Sequence, residues 1–285
     1  MQQTNANTRP GVVTLIGCGP GDPDLLTVKA VNSIRAADVL VTDRLVSPEI
    51  VALAGGDAVV IDAGKEPGGR SMPQDEINRI LVREALKGQR VARLKGGDGF
   101  VFGRAAEEMA AVRAAGVAVE IIPGITSAHA CAASIALPLT LRESVRQFSI
   151  VTGATATGVP DLDWAQLSRP GQAFAIYMGV RNAAAIREKL LDAGADPATP
   201  VVIVENGTLA AERAIETNLD AFAAALHTLA VSGPSIIFVG LSWAAANLTR
   251  PASVETFVAA TAPGHPKAID FPLAAEGPAM AEVTP

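Results

Sequence analysis

The chain has 285 residues, enough for about two domains at roughly 150 residues each. Hydrophobic residues make up 49% and charged residues 18%, a balance that excludes disorder for the bulk of the chain. The net charge of −6, from 23 basic and 29 acidic side chains, argues against a general nucleic-acid or anionic-membrane binder, although a local basic pocket for an acidic small molecule stays open.

The first strong element is Gly11–Gly17, a β-branched run that stops at glycine and reads as a buried strand. A rigid loop follows, Cys18-Gly19-Pro20-Gly21-Asp22-Pro23. Leu25–Ala37 has helical spacing, and Val39–Thr42 is a second strand with Asp43 just past its end. Strand, glycine loop, helix and strand make a βαβ unit with parallel pairing. The alternation continues with a strand over Ala58–Ile61, a helix over Gln74–Lys87 and a strand over Arg90–Leu94. A helix over Ala105–Ala115 is closed by Gly116, a strand runs over Val117–Ile122, and Thr126–Ile135 is helical. Strands are then expected over Phe148–Thr152, Phe174–Met178, Val201–Glu205 and Ser235–Gly240, with helices over Ala183–Ala193 and Leu219–Leu229 and a long loop over Gly153–Pro170. The looser alternation implies a mixed sheet. The predicted organisation is an α/β domain over 11–140, a second α/β domain over 141–260 and a disordered tail over 261–285.

No run of about 18 apolar residues lacks charges or breakers, so no membrane span is expected, and the polar stretch Met1–Pro10 lacks the apolar core of a signal peptide. A cytoplasmic protein follows as the expectation. Cys18 and Cys131 lie far apart without CxxC spacing and are expected as reduced, buried thiols. His129, His227 and His265 show no metal-ligand spacing, so no metal is expected, and His129 is expected to pack within its helix.

Ligands of open parallel sheets bind outside the carboxyl ends of the strands. Four segments fall there: Gly17–Pro23, Asp43, Lys95–Phe102 and Pro123–Ser127. The first imitates a dinucleotide fingerprint, but Asp22 stands where the third glycine is required and Pro20 removes a donor that a phosphate would use. A nicotinamide dehydrogenase is disfavoured accordingly. In Arg93–Arg104, Gly96 and Gly97 let the backbone approach a ligand, Asp98 is an acceptor suited to a ribose hydroxyl or an ammonium, and Arg104 can hold a carboxylate bidentately. On residue chemistry alone Asp43 is also placed to cap a helix, and Lys65 and Glu107 to be solvated.

The stretches GCGPGDPDLLT (17–27), ADVLVTDRLV (37–46), AGK (63–65), QDEIN (74–78), RLKGGDGFVFGRAAEE (93–108), PGITSA (123–128), LPLTLRE (137–143), VTG (151–153) and YMG (177–179) resemble the tetrapyrrole methylases in order and spacing. Within that family the likeness is greatest to the members that act on uroporphyrinogen III. The resemblance implies two α/β domains with an interdomain cleft, distinct from the Rossmann methyltransferase fold, in a homodimer. It implies methyl transfer from S-adenosylmethionine, with S-adenosylhomocysteine as product, to two pyrrole carbons of uroporphyrinogen III. The product would be precorrin-2, which feeds sirohaem, cobalamin and haem d1. Cofactor contacts carried over are Pro20, Gly96, Gly97, Asp98, Val101, Thr126, Ser127, Met178 and Gly207. The proton acceptor would be Asp43 and the donor Lys65, and Arg104, Glu107, Arg142 and Met178 would meet the substrate.

This chain departs from the family pattern at Thr42 for tyrosine, Glu66 for arginine, Gly99 for proline, and Leu141 and Ala154 for histidine. The departures fall on the substrate side more than on the cofactor loops. A methylase of a later precorrin and a non-catalytic cofactor-binding relative are the competing readings. Because the chain opens almost directly into its first strand, no fused dehydrogenase/ferrochelatase segment is expected ahead of it.

Overall fold

The computed structural model describes residues 10–64 and 72–258; Lys65, Glu66 and the tail over 261–285 lie outside the described residues. The opening half carries β1 (Val12–Gly17), α1 (Val28–Ala36), β2 (Val39–Thr42), α2 (Pro48–Val51) and β3 (Val59–Asp62). It continues with α3 (Gln74–Leu86), β4 (Arg90–Lys95), α4 (Ala105–Ala114), β5 (Ala118–Ile122) and α5 (Ser127–Ser134). Its five strands form one sheet in the order β3-β2-β4-β1-β5, every pair parallel. All five strands therefore end at the same edge.

Residues alternate between the two faces of this sheet. Val13, Leu15, Val39, Val41 and Val91 pack with α3 and α4, whereas Ile16, Leu40, Ala92 and Leu94 pack with α1 and α2. The connections after β1 and β4, which are neighbours in the sheet, thus leave on opposite faces. Such a divergence opens a crevice at the strand ends. The helix expected from Leu25 begins at Val28, because Thr27 takes the cap position and its hydroxyl accepts from Ala30 N at 3.1 Å. Asp22 caps a short 3-10 turn over Pro23–Leu25 ahead of it.

The second half carries β6 (Gln147–Thr152), α6 (Trp164–Leu167), β7 (Gln172–Tyr177), α7 (Ala183–Asp192), β8 (Pro200–Glu205), β9 (Arg213–Asn218), α8 (Phe222–Thr228), β10 (Ser235–Val239) and β11 (Val254–Thr256). The sheet order is β11-β9-β8-β10-β7-β6, with parallel pairs at both edges and antiparallel pairs between. The expected mixed sheet is present, with two strands that the hydrophobic pattern did not reveal. In β9 the charges of Arg213 and Glu216 break the apolar alternation; they are paired with Glu205 and Arg250. β11 has three residues, too few for a periodic signal. The one-turn helix α6, capped by Asp163, interrupts the stretch expected as loop.

Helix α5 precedes the second sheet in the chain but packs on it. Ala128, Cys131, Ala132 and Ile135 join the core formed by Ala173, Val202, Val204 and Phe238, and Trp243 Nε1 donates to the Ile135 carbonyl at 3.1 Å. Both cysteines are free and buried, and burial pushes each thiol up to about 12. Neither is expected to react with a thiol reagent at pH 8 in the native protein, since the thiolate is the reactive form. Labelling that needs no denaturant would contradict this.

At the opposite end of the first sheet Asp38 accepts from Arg90 N, Nε and Nη2, which holds its carboxyl down at about 2. A depressed folded-state value stabilises the protein above the ordinary aspartate range and loses that contribution as pH falls toward about 2. Thermal melts of Asp38→Asn are expected to converge with wild type over this acid interval. A constant difference across it would remove Asp38 from the acid response.

Candidate active site

The strand ends of the first sheet are drawn together by backbone contacts that only glycine permits. Gly19 and Gly97 exchange N–H···O bonds of 2.6 and 3.0 Å, which ties the loop after β1 to the loop after β4. A Cβ at Gly17 or Gly124 would drive into the backbone of the other, and Gly97 O lies against both. Asp98 completes the junction: Oδ1 accepts from Phe100 N at 2.8 Å and Oδ2 from Gly124 N at 2.9 Å. Gly96 backs onto Leu45, and Gly97, with φ of +64°, backs onto Ser127.

Beside this junction is a cavity of about 780 Å³, within the size range of small-molecule sites. The first half of the chain contributes Asp98, Val101 and Thr126, all expected from the sequence, and the second half contributes Thr208, Leu209 and Glu212. Asp22, Asp98 and Glu212 line it, and among the described residues no lysine or arginine does. That charge pattern suits a cationic ligand and opposes a pyrophosphate. His129 also lines the cavity and is exposed, which corrects the expectation that it packs within its helix. With four-residue spacing from Thr126 to Ala130 and three from His129, one face of α5 looks into the cavity while Ala128, Cys131 and Ala132 face the core.

Pro20, Gly96 and Gly97 supply the shape of the loops rather than the lining. Gly207 sits where a Cβ would collide with Cys131 Sγ, so glycine there lets the loop after β8 close on α5. Asp22 N donates to Thr208 Oγ1 at 3.4 Å across the two halves. Tyr177 makes the other cross-connection: its hydroxyl lies 2.6 Å from Thr126 Oγ1 and accepts from Ala128 N at 2.8 Å. Its ring stands 5.4 Å from that of Phe102. Next to it Met178 is exposed with a left-handed φ of 56°. Phe102 and Arg104 also adopt left-handed conformations, and such strain clusters at functional sites.

In the sheet order β4 lies between β2, whose end carries Asp43, and β1 and β5, whose ends border the cavity, so the Gly96–Gly97 step after β4 forms a ridge between Asp43 and the cavity. Its Oδ1 accepts from Leu45 N at 3.0 Å, and its Oδ2 is 3.6 Å from Arg93 Nη2. Arg93 is buried, and so is Lys95, both projecting from β4 toward α4. Glu108 of α4 meets them: Arg93 Nε donates to Oε1 at 3.0 Å and Lys95 Nζ to Oε2 at 2.9 Å. Burial and the neighbouring guanidinium lower the Lys95 pKa. Arg104 and Glu107 pair with each other through two bonds of 2.8 and 2.7 Å and are exposed. Arg142 is exposed on the tight turn closed by Leu141 and Val145, and no hydrogen bond or ion pair among the described residues joins it to the others. Lys65 lies outside the described residues.

Residues 12–223 match the family Tetrapyrrole (Corrin/Porphyrin) Methylases. The chain belongs to the tetrapyrrole methylases. It is an S-adenosylmethionine-dependent C-methyltransferase by that membership, with the fold of this family and not the Rossmann methyltransferase fold. It is 46% identical over 232 residues to a siroheme synthase of Edwardsiella ictaluri, covering 81% of this chain and 49% of the relative. The chain thus spans about half the length of the curated relatives it matches. Among solved structures it is similar to the uroporphyrin-III C-methyltransferase of Thermus thermophilus complexed with S-adenosylhomocysteine, at 36% identity and a TM-score of 0.68, covering 81% of this chain and 97% of that one. A cobalt precorrin-4 methyltransferase is similar with a TM-score of 0.72 at 27% identity, covering 80% of this chain and 94% of that one. Among the described residues of this tetrapyrrole methylase no helix is long and apolar enough to cross a membrane.

Proposed function

We propose that the chain methylates two pyrrole carbons of uroporphyrinogen III, giving precorrin-2, with the methyl donor in the cavity beside the Gly17–Gly97–Gly124 junction. The cavity fits the donor. Its volume suits a nucleoside-sized ligand, and its three carboxylates suit a ligand that carries an ammonium and a sulfonium. When bound, S-adenosylmethionine supplies an already activated methyl group. The chain's own residues then have to align a ring carbon with that methyl and take up a proton.

The observation that carries the reading is the arrangement around the Gly96–Gly97 ridge, with a cation-suited cavity on one side and the Asp43 carboxylate beside Arg93 on the other. Asp43 is the assigned proton acceptor, and Lys65 the assigned donor. Arg104 and Arg142 are assigned to the substrate's carboxylates, Glu107 to positioning Arg104, and the exposed Met178 side chain to the macrocycle. Residues 11–140 and 141–260 are proposed as the two domains, in a cytoplasmic homodimer.

The direct test incubates the protein with uroporphyrinogen III and S-adenosylmethionine under anaerobic conditions. Two methyl equivalents per tetrapyrrole and a product that oxidises to a coloured isobacteriochlorin are expected. Turnover of a later precorrin, with none of uroporphyrinogen III, would replace this reading by the second one, which the similarity to the cobalt precorrin-4 enzyme favours.

Asp98 has a separate expected result. Asp98→Ala removes both the tie to Gly124 and a carboxylate of the cavity. Losing a charged acceptor costs about 1.5–3 kcal/mol, or about tenfold to a hundredfold in affinity. Calorimetric titration with S-adenosylhomocysteine measures it, and unchanged affinity would remove Asp98 from the site.

A further inference from the structure

We propose that Glu108 is a positioning residue that fixes Arg93 against Asp43 and thereby orients the carboxylate assigned as proton acceptor. The inference rests on that assignment. It starts from a misfit in the core. The face of the first sheet that packs on α3 and α4 is apolar along β1, β2 and the start of β4, then carries Arg93 and Lys95. Opposite them, Ala105, Glu108 and Val112 form the buried side of α4, so a carboxylate takes a core position and is fully buried.

Buried charges of this kind are weak contributors to stability. Desolvating each ion costs several kcal/mol, and apolar residues of similar volume often serve stability as well or better. The cluster stands at the end of the sheet that carries the site, one residue before the Gly96–Gly97 ridge. Its geometry leaves Arg93 no freedom. Nε donates to Glu108, Nη1 donates to the carbonyls of Val41 and Leu94 at 3.3 and 3.1 Å, and Nη2 is left to face Asp43 at 3.6 Å. Glu108 Oε1 also accepts from Gln74 Nε2 at 3.3 Å, which holds the carboxylate itself in place.

The charge count gives Glu108 its second effect. It balances one of the two buried cations, and Asp43 faces the other. Replacing Glu108 by glutamine keeps an acceptor for Arg93 Nε and removes the charge. Two cations then compete for Asp43, and the fixed pairing between Arg93 and Asp43 is lost. Replacing Lys95 by methionine as well removes the competing cation and restores the balance with nearly the same volume.

The test compares wild type, Glu108→Gln and the double variant Lys95→Met/Glu108→Gln. With uroporphyrinogen III, Glu108→Gln is expected to lose roughly a hundredfold in kcat, the scale of about a 1 Å misplacement, with KM and the affinity for S-adenosylhomocysteine nearly unchanged. The double variant is expected to recover most of that loss. Unchanged kcat in Glu108→Gln, an equal loss of cofactor affinity, or no recovery in the double variant would overturn the inference. A wild type without turnover would instead overturn the functional reading. The orientation is read independently of turnover by the Arg93 Nε–H resonance in a 15N-labelled sample, assigned by its absence in Arg93→Lys. It is expected to be sharp in wild type, broadened in Glu108→Gln and sharp again in the double variant; an unchanged resonance in Glu108→Gln overturns the inference with or without turnover.

Discussion

Asp43→Asn is expected to lower kcat by about 10²–10⁴-fold, the range for loss of a positioned acid–base group. The substitution is selective because asparagine keeps the local structure. Its side-chain carbonyl can still accept from Leu45 N, the contact that Asp43 Oδ1 makes at 3.0 Å. What it loses is the negative charge beside Arg93 Nη2 and the capacity to take a proton. The cavity across the Gly96–Gly97 ridge keeps all its lining residues, since Asp43 is not one of them. Titration with S-adenosylhomocysteine should therefore match wild type, while methyl transfer at saturating uroporphyrinogen III falls. Full turnover in Asp43→Asn would pass the proton-acceptor role to another group. A fall in cofactor affinity of the same size would place Asp43 on the donor side of the ridge.

Much of the first sheet was legible because its signals are local. β1 is a β-branched, apolar run that stops at glycine, β4 ends at a Lys-Gly-Gly step, and the longer helices between them, α1 and α3, repeat at 3.6 residues. The loops at the strand ends followed from that alternation, and the structure brings Asp98, Val101 and Thr126 onto one cavity. The contributions of Thr208, Leu209 and Glu212 were not legible, because they come from a loop between β8 and a strand whose charges hide its alternation. Helices α2 and α6, of one turn each, carry no period to detect.

Glu107 and Glu108 show the difference most sharply. Both are acidic and adjacent, but residues one apart on a helix point about 100° away from each other. Glu107 turns outward and pairs with exposed Arg104, whereas Glu108 turns inward to Arg93 and Lys95. The signal that separates them was present: Ala105, Glu108 and Val112 share the inward-facing stripe of α4, and Arg93 and Lys95 share one face of β4 with Val91. Charges on two facing apolar stripes predict a buried pair, but only if the helix and strand are known to face each other.

Replacing Arg104 and Arg142 together by alanine is expected to cost about 10²–10⁴-fold in apparent affinity for uroporphyrinogen III, tenfold to a hundredfold for each charge-assisted contact if the two act independently. Uroporphyrinogen III, the proposed substrate, carries eight carboxylates, and a guanidinium grips a carboxylate through two parallel N–H donors. Both side chains are exposed, as a group that awaits a large polyanion must be. Arg104 is held in place by Glu107, which accepts from its Nε and Nη2, on a left-handed backbone position. Neither arginine lines the cavity, and a cation close to a sulfonium would repel it. The affinity for S-adenosylhomocysteine should therefore stay near wild type in both single variants and in the double variant. Lysine at either position keeps the charge without the forked geometry, so Arg104→Lys and Arg142→Lys should each recover only part of the loss. Salt separates the two contributions further. The alanine variants should show a weaker dependence of KM on ionic strength than wild type, because exposed charge contacts are screened over about 8–10 Å at physiological salt. An unchanged salt dependence, or a loss of cofactor affinity with the fold intact, would take these arginines off the tetrapyrrole.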